Sequence, residues 1–137
     1  MEMEKNMFTR LEILNKLFTL FPPFEKFREE EMDEVWGEDT SVHTDMLIFS
    51  YYIIDLLADD SKESYQKEIE LTFIFMEQLM NEGSEEVQEA VATCFLEDLL
   101  NAVSWERITA SSFLSLLGPE SKKHCKAWDE FTGHSVV

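Results

Sequence analysis

Apolar side chains recur at intervals of three or four residues along most of the chain, which is the spacing of one face of an α-helix. The first such stretch predicts a helix over about Asn6–Phe21, with the apolar positions Met7, Leu11, Leu14, Leu17, Phe18 and Phe21. Two consecutive prolines end this helix and begin another, because proline is tolerated in a first helical turn. The second helix is predicted over roughly Pro23–Trp36 and ends at Gly37.

The middle of the chain predicts two longer helices. The third, about Val42–Ala58, is apolar almost all round, as expected of a central buried helix. Ser61, followed by Ser64, opens the fourth, which runs to about Asn81. Its predicted core face consists of Tyr65, Ile69, Phe73, Met76 and Met80.

Glycine, serine and proline mark the remaining helix joints. Gly83 ends the fourth helix and Ser84 caps the fifth, which is predicted over about Glu85–Asn101. A sixth helix covers roughly Trp105–Leu117, and a seventh covers Pro119–Phe131. Residues 132–137 are expected to form a frayed tail.

Seven helices with short joints predict an all-α fold in a single domain, residues 1–137. Two architectures stay open: an orthogonal bundle, or a short α-superhelical stack of the armadillo or HEAT type. Trp105 and Trp128 are interpreted as core residues at helix ends. Trp36 has two interpretations, as a core residue or as an interface anchor inside an acidic ring.

The charge of the chain narrows its class of partner. The sequence has 29 acidic and 11 basic residues, for a formal net charge of −18, while 45% of it is hydrophobic. Such a charge repels nucleic acid and anionic lipid and favours a basic protein as partner. The most apolar run, Met46–Ala58, is too short and too polar to span a membrane, and no signal peptide is evident. These features, with two cysteines, predict a cytoplasmic protein with reduced thiols.

The sequence lacks the usual patterns of catalysis. It contains no Glu-x-x-His or His-Glu-x-x-His pair, no Cys-x-x-Cys and no glycine-rich phosphate loop. We therefore expect no enzyme activity, no metal and no cofactor. Cys94 and Cys125 are interpreted as buried inert thiols, with a lowered pKa of Cys125 beside His124 as the alternative. Glu120 and His124 are interpreted as a surface salt bridge.

Two acidic stretches are the candidate partner-binding surfaces. In the first, Glu29, Glu30 and Asp33 form an outward stripe, Glu34 and Trp36 lie beside it, and Glu38 and Asp39 follow its end. In the second, Glu82, Glu85, Glu86 and Glu89 have the spacing of a single helix line, and Asp59 and Asp60 extend the candidate surface. Like charges so spaced destabilise a helix by about 0.2–0.5 kcal/mol per pair, which favours a role in binding. The alternative interpretation is that both stretches are solvated helix faces with no partner.

The only dense basic patch lies near the other end of the chain. It consists of Lys122, Lys123 and Lys126 with His124. These residues could pair with the acids of a second copy, which would allow weak self-association.

The C-terminal half carries a resemblance. "VQEAVATCFLEDLLN" and "FLSLLGPESKKHCKAWDEFTG" resemble an uncharacterised family of small acidic all-helical bacterial proteins, over Gly83–Gly133. Such proteins occur beside polymorphic-toxin and contact-dependent growth inhibition genes, so the resemblance implies an immunity protein that neutralises a basic toxin domain, a nuclease. It assigns no binding residues. The alternative hypothesis is a helical adaptor or regulator that binds a non-toxin protein through an apolar groove.

Overall fold

A computed structural model describes residues 8–38, 41–59 and 64–137, and every regular element in these ranges is helical. The α-helices are α1 (Arg10–Leu20), α2 (Pro23–Glu31), α3 (Val42–Ala58), α4 (Gln66–Glu82), α5 (Glu85–Glu89), α6 (Glu97–Ser104) and α7 (Pro119–Thr132). π-Helical turns over Met32–Trp36 and Ala90–Leu96 continue α2 and join α5 to α6. The all-α prediction is therefore confirmed.

Capping side chains fix several helix starts. Thr9 and Glu12 form a reciprocal capping box, so α1 begins at Arg10 rather than near Asn6, which lies outside the described residues. Ser41 accepts a hydrogen bond from the Thr44 N–H and begins α3 where the sequence predicts it. Ser84 accepts from the Val87 N–H and begins α5 in the same way.

The predicted sixth helix is wrong. Residues 105–117 form an irregular segment with two short 3₁₀ turns, Ala110–Ser112 and Leu114–Leu116. The hydroxyl of Ser112 donates to the Thr109 carbonyl at 2.6 Å, a local bond that competes with a helical ladder. The helix before it runs on to Ser104, three residues past its predicted end.

A row of phenylalanine rings joins the helices through the core. Phe24 of α2 lies 5.0 Å from Phe49 of α3, which stacks on Phe95 of the second π turn at 5.8 Å. Phe73 of α4 lies 5.7 Å from Phe95 and stacks on Phe113 at 6.1 Å. All five rings are buried, and offset or edge contacts at these separations are favourable. α3 is central, because it packs against α2, α5, α6 and the second π turn.

Glu77 of α4 holds the start of α7. Its carboxylate accepts hydrogen bonds from the N–H of Glu120 at 2.9 Å and from the N–H and hydroxyl of Ser121 at 3.0 and 2.8 Å. Asn81 donates to the same carboxylate at 3.0 Å. A side chain at Gly118 would collide with Glu77, so glycine permits this close approach.

The C-terminal residues fold back instead of fraying. The backbone N–H groups of Val136 and Val137 donate to the Asp129 carboxylate at 3.1 and 2.7 Å. His134 stacks on Trp128, with 5.0 Å between the ring centroids. Trp128 is buried as predicted, whereas Trp105 was predicted to lie in the core and is 73% exposed.

Within the described ranges, no helix combines the length and the apolar character needed to cross a membrane.

Candidate acidic partner surface

A buried ionic cluster fixes the position of α2, which carries the first acidic stretch. Asp45 in the first turn of α3 is 0% exposed. Arg10 donates to its two carboxylate oxygens from Nε at 2.6 Å and from Nη2 at 3.2 Å. Arg28 of α2 donates from Nε to Oδ1 at 2.9 Å, and its Nη2 lies 2.9 Å from the same oxygen. Charge-assisted contacts of this kind to a buried carboxylate are strong, so α2 is held against α3 and Arg28 faces inward.

The first acidic stretch is exposed and lacks internal counter-charges. Its described carboxylates all face solvent, namely Glu29, Glu30, Asp33, Glu34 and Glu38. None of the ion pairs among the described residues includes one of them. Lys26 is also exposed on α2 but makes no ion pair with this group. Asp39 and Asp60 lie outside the described residues.

Val35, rather than Trp36, is the exposed apolar residue in this stretch. The side chain of Val35 is 64% exposed. Trp36 is partly buried against the core, and its Nε1 is the one buried side-chain polar atom in the described ranges without a hydrogen-bond partner. The wider π turn over Met32–Trp36 ends at Gly37, whose φ of 65° suits glycine. The core interpretation of Trp36 therefore fits the structure.

The second acidic stretch is divided between two helices. Glu82 belongs to the last turn of α4, whereas Glu85, Glu86 and Glu89 belong to α5 beyond the Gly83 joint. The prediction of four carboxylates on one helix line is therefore wrong. Asp59 is exposed just past the end of α3.

The α5 carboxylates line an open cleft of about 670 Å³. Its wall residues are His43, Met80, Glu85, Glu86, Gln88, Glu89 and Ala92. His43 Nε2 lies 3.0 Å from Glu89 Oε1, so this carboxylate already has a partner within the chain. No residue of the first acidic stretch lines this cleft.

The outward side of α3 lies near both surfaces. His43, Leu47, Tyr51 and Asp55 recur every four residues and are at least partly exposed. Burial raises the pKa of the Tyr51 hydroxyl, and the charges of Asp98 and Glu31 raise it further. Negative potential from α2 and α6 therefore meets at the middle of α3.

The thiols and histidines show no reactive site. Burial raises the pKa of Cys125 to about 12, with Asp129 and Glu97 adding to the effect, so the lowered-pKa alternative is wrong. Burial also raises the pKa of the half-buried Cys94. His124 Nε2 lies 2.8 Å from Glu97 Oε2, so Glu97 rather than Glu120 is its partner. Among the described residues, no three His, Cys, Asp or Glu side chains converge to hold a metal ion.

Fold and surface together define an all-α protein with two exposed acidic stretches. The chain belongs to the family named domain of unknown function DUF7674, whose sequence pattern matches residues 14–133. That span includes both acidic stretches. No curated protein and no solved structure matches the chain.

Proposed function

We propose that this chain is an immunity-type protein that binds a basic protein domain, a toxin nuclease, through the first acidic stretch. The observation that carries the proposal is the set of five exposed, unpaired carboxylates described above, four on α2 and its π turn and the fifth just past Gly37. Arg28, one of the two cations on this helix, is directed inward to Asp45. The outward charge therefore has no internal purpose and costs helix stability.

Rigid presentation makes such a surface effective. α2 is fixed by the Asp45 ion pairs and by the contact of Phe24 with Phe49, so binding a partner would order little of the backbone. Close charge pairs across an interface contribute about 1.5–7 kcal/mol of coupling, and the field of the whole chain raises the association rate.

A nuclease supplies the complementary chemistry. Cationic side chains that bind phosphate in a nuclease site would bind carboxylates in the same positions, so an acidic helix can occlude the site. The resemblance over the C-terminal half supports this class of partner. The proposal places the protein in the cytoplasm and gives it no catalytic role.

Charge reversal at one surface tests the proposal against a matched control. The test variant carries Glu30→Lys, Asp33→Lys and Glu34→Lys; the control carries Glu82→Lys, Glu85→Lys and Glu86→Lys. Both sets change the net charge equally. We expect the first set to weaken binding by at least about a hundredfold, since each lost pair is worth more than about 1.4 kcal/mol. The control should bind nearly as the wild type does.

Binding should be measured against the C-terminal domain of the protein encoded immediately upstream. Calorimetry at low and high salt, combined with a nuclease assay, reports affinity and inhibition together. Salt-sensitive binding that silences a nuclease supports the proposal. Protection by the first triple variant equal to that of the wild type would contradict it.

A second candidate function is an adaptor that binds a protein partner through apolar contacts. Leu71 and Ile74, three residues apart on α4, are 38% and 65% exposed. An exposed apolar pair on one helix face is typical of docking to another helix. In that case Ile74→Glu should abolish binding, the acidic triple variant should not, and affinity should depend weakly on salt.

A further inference from the structure

The C-terminal end of α6 exposes the indole ring of Trp105 to solvent. The N–H of Arg107 donates to the Ala102 carbonyl at 2.9 Å, and the N–H of Glu106 donates to the Val103 carbonyl at 2.9 Å. This pair of bonds is a Schellman motif, with Glu106 in the left-handed region at φ 61°. The motif fixes the backbone on both sides of Trp105, whose side chain is 73% exposed.

Trp105 stands at the edge of a small pocket between α3 and α6. The pocket has a volume of about 110 Å³ and is lined by Tyr51, Ile54, Asp98, Ala102, Trp105 and Arg107. Its apolar walls, aromatic edge and single partly buried carboxylate resemble the composition of an anchor site for one side chain.

The carboxylate of Asp98 receives one hydrogen bond from a side chain among the described residues. Its Oδ2 accepts a hydrogen bond from the Ser50 hydroxyl at 2.6 Å. Burial raises the pKa of Asp98, although the Ser50 bond and the Arg107 charge oppose that rise. A cation placed beside Asp98 would therefore stabilise its charged form, as Arg107 already does in part.

Among the described residues, no cationic side chain lies over the indole ring of Trp105. Arg107 Nη2 lies 3.1 Å from Asp55 Oδ1, so its guanidinium is directed to another acid. Among the described residues, the one cation over an aromatic ring is Lys16, which lies 5.8 Å from the centroid of Phe75. The indole face of Trp105 is therefore open to a cation from outside.

We propose that this pocket binds an arginine side chain of a protein partner. The planar guanidinium stacks on Trp105 and donates to the Oδ1 of Asp98, with the Tyr51 hydroxyl as a further acceptor. Arginine suits the site better than a quaternary ammonium group, because a quaternary ammonium group has no N–H to donate to a carboxylate. The inference rests on the proposed basic partner but not on that partner's being a toxin.

Small probes test the pocket without any knowledge of the partner. The full chain, labelled with ¹⁵N, is titrated with N-acetyl-arginine-N-methylamide and, separately, with the uncharged N-acetyl-norleucine-N-methylamide. The three indole N–H signals are followed by NMR. We expect the arginine probe to shift the Trp105 signal and leave those of Trp36 and Trp128 unchanged. Its affinity should exceed that of the norleucine probe by about tenfold, as expected for a charged hydrogen bond.

Two conservative variants locate the contact. Asp98→Asn can keep the bond from Ser50 but loses the charge, and it should weaken the arginine probe about tenfold. Glu130→Gln removes one charge from an exposed position on α7 and should leave the affinity unchanged. Circular dichroism of both variants checks that the fold is retained.

The outcomes separate this inference from the proposed function. Equal shifts by both probes, or an unchanged affinity in a folded Asp98→Asn variant, would overturn the arginine pocket. An arginine-specific shift at Trp105 supports it even if the upstream-encoded domain does not bind. Conversely, binding of that domain with no probe response would leave the proposed function standing and refute the pocket.

Discussion

Glu77 belongs to α4 but caps α7, and neighbouring residues in the sequence give no sign of this. A glutamate in mid-helix is usually a solvated residue. Its partners, Glu120 and Ser121, lie more than 40 residues further along the chain. The N-cap residue of α7 is Gly118, which has no side chain to accept hydrogen bonds from the first N–H groups of the helix. Gly118 could be predicted as a helix boundary, whereas its role in admitting Glu77 depends on how the helices pack.

Replacing Glu77 by Gln should destabilise the fold by about 1 kcal/mol, the usual cost of a lost cap. Burial alone would raise the pKa of Glu77, but the bonds from Glu120, Ser121 and Asn81 outweigh burial and hold that pKa below its ordinary value of 4.5. The carboxylate therefore stabilises the fold fully above pH 4.5, and this contribution is lost as pH falls further. Urea unfolding of both proteins from neutral pH downward should show the stability difference shrinking in that acid range.

Gly118→Ala provides the control for this prediction. In the wild type the added methyl group collides with Glu77, whereas in a Glu77→Ala background most of the collision is relieved. The two substitutions should therefore not be additive. Additive effects on the unfolding free energy would contradict the assigned contact.

The sequence does not indicate that Glu106 ends α6. Glycine at the position after a helix is a strong stop signal, and here a glutamate adopts the left-handed conformation instead. The left-handed region costs an L-residue roughly 1–2 kcal/mol, so a glutamate is not expected to stop a helix. The sequence predicts an end at about Asn101 and a new helix from Trp105, whereas the structure continues α6 to Ser104, stops it through Glu106 and leaves Trp105 exposed.

Among the elements, those with a strong hydrophobic pattern and a cap match their predictions best. α3 spans Val42–Ala58 as predicted, and α7 ends one residue beyond its predicted end. The π turns could not be predicted, because a π turn uses the same residue types as an α-helix and differs only in hydrogen-bond register. The exposed positions of Glu29, Glu30 and Asp33 could be inferred from charge. The i, i+3, i+4, i+7 spacing of the second acidic stretch crosses the Gly83 joint, so it does not correspond to one helix face.

The position of α2 relative to α3 depends on one buried acid, and α3 itself offers a matched comparison. Asp45 is buried between two arginines, while Asp55 forms an exposed pair with Arg107 whose side chains are 60% and 52% exposed. We expect Asp45→Asn to cost about 3 kcal/mol, since it leaves guanidinium groups without a counter-charge. Asp55→Asn should change stability by less than about 1 kcal/mol. Chemical denaturation measures both, and equal costs would contradict the structural role given to the cluster.

At the scale of the whole molecule, the charge of −18 opposes folding by self-repulsion. The described ranges contain few ion pairs for salt to weaken, and the first acidic stretch is unpaired. Repulsion should therefore outweigh attraction, and added monovalent salt should stabilise the fold.

Raising sodium chloride from low to physiological ionic strength should increase the melting temperature by roughly 4 °C, which corresponds to about 1 kcal/mol for a chain of this size. Calorimetric or circular-dichroism melts measure the shift. The Glu30→Lys, Asp33→Lys, Glu34→Lys variant should respond less, because it begins with less repulsion. A melting temperature that falls with salt would show that the ion pairs dominate instead.

The Asp45 cluster also has an evolutionary consequence. Losing Asp45 alone leaves two partly buried guanidinium groups without their counter-charge, at a cost that is a large part of the roughly 5–15 kcal/mol that stabilises a typical domain. Joint replacement by apolar residues of similar volume would cost far less. Arg28 and Asp45 lie inside the span shared with the family, while Arg10 precedes it. Related chains should therefore keep both residues of the pair at positions 28 and 45 or replace both. A substitution at only one of the two positions should not be tolerated.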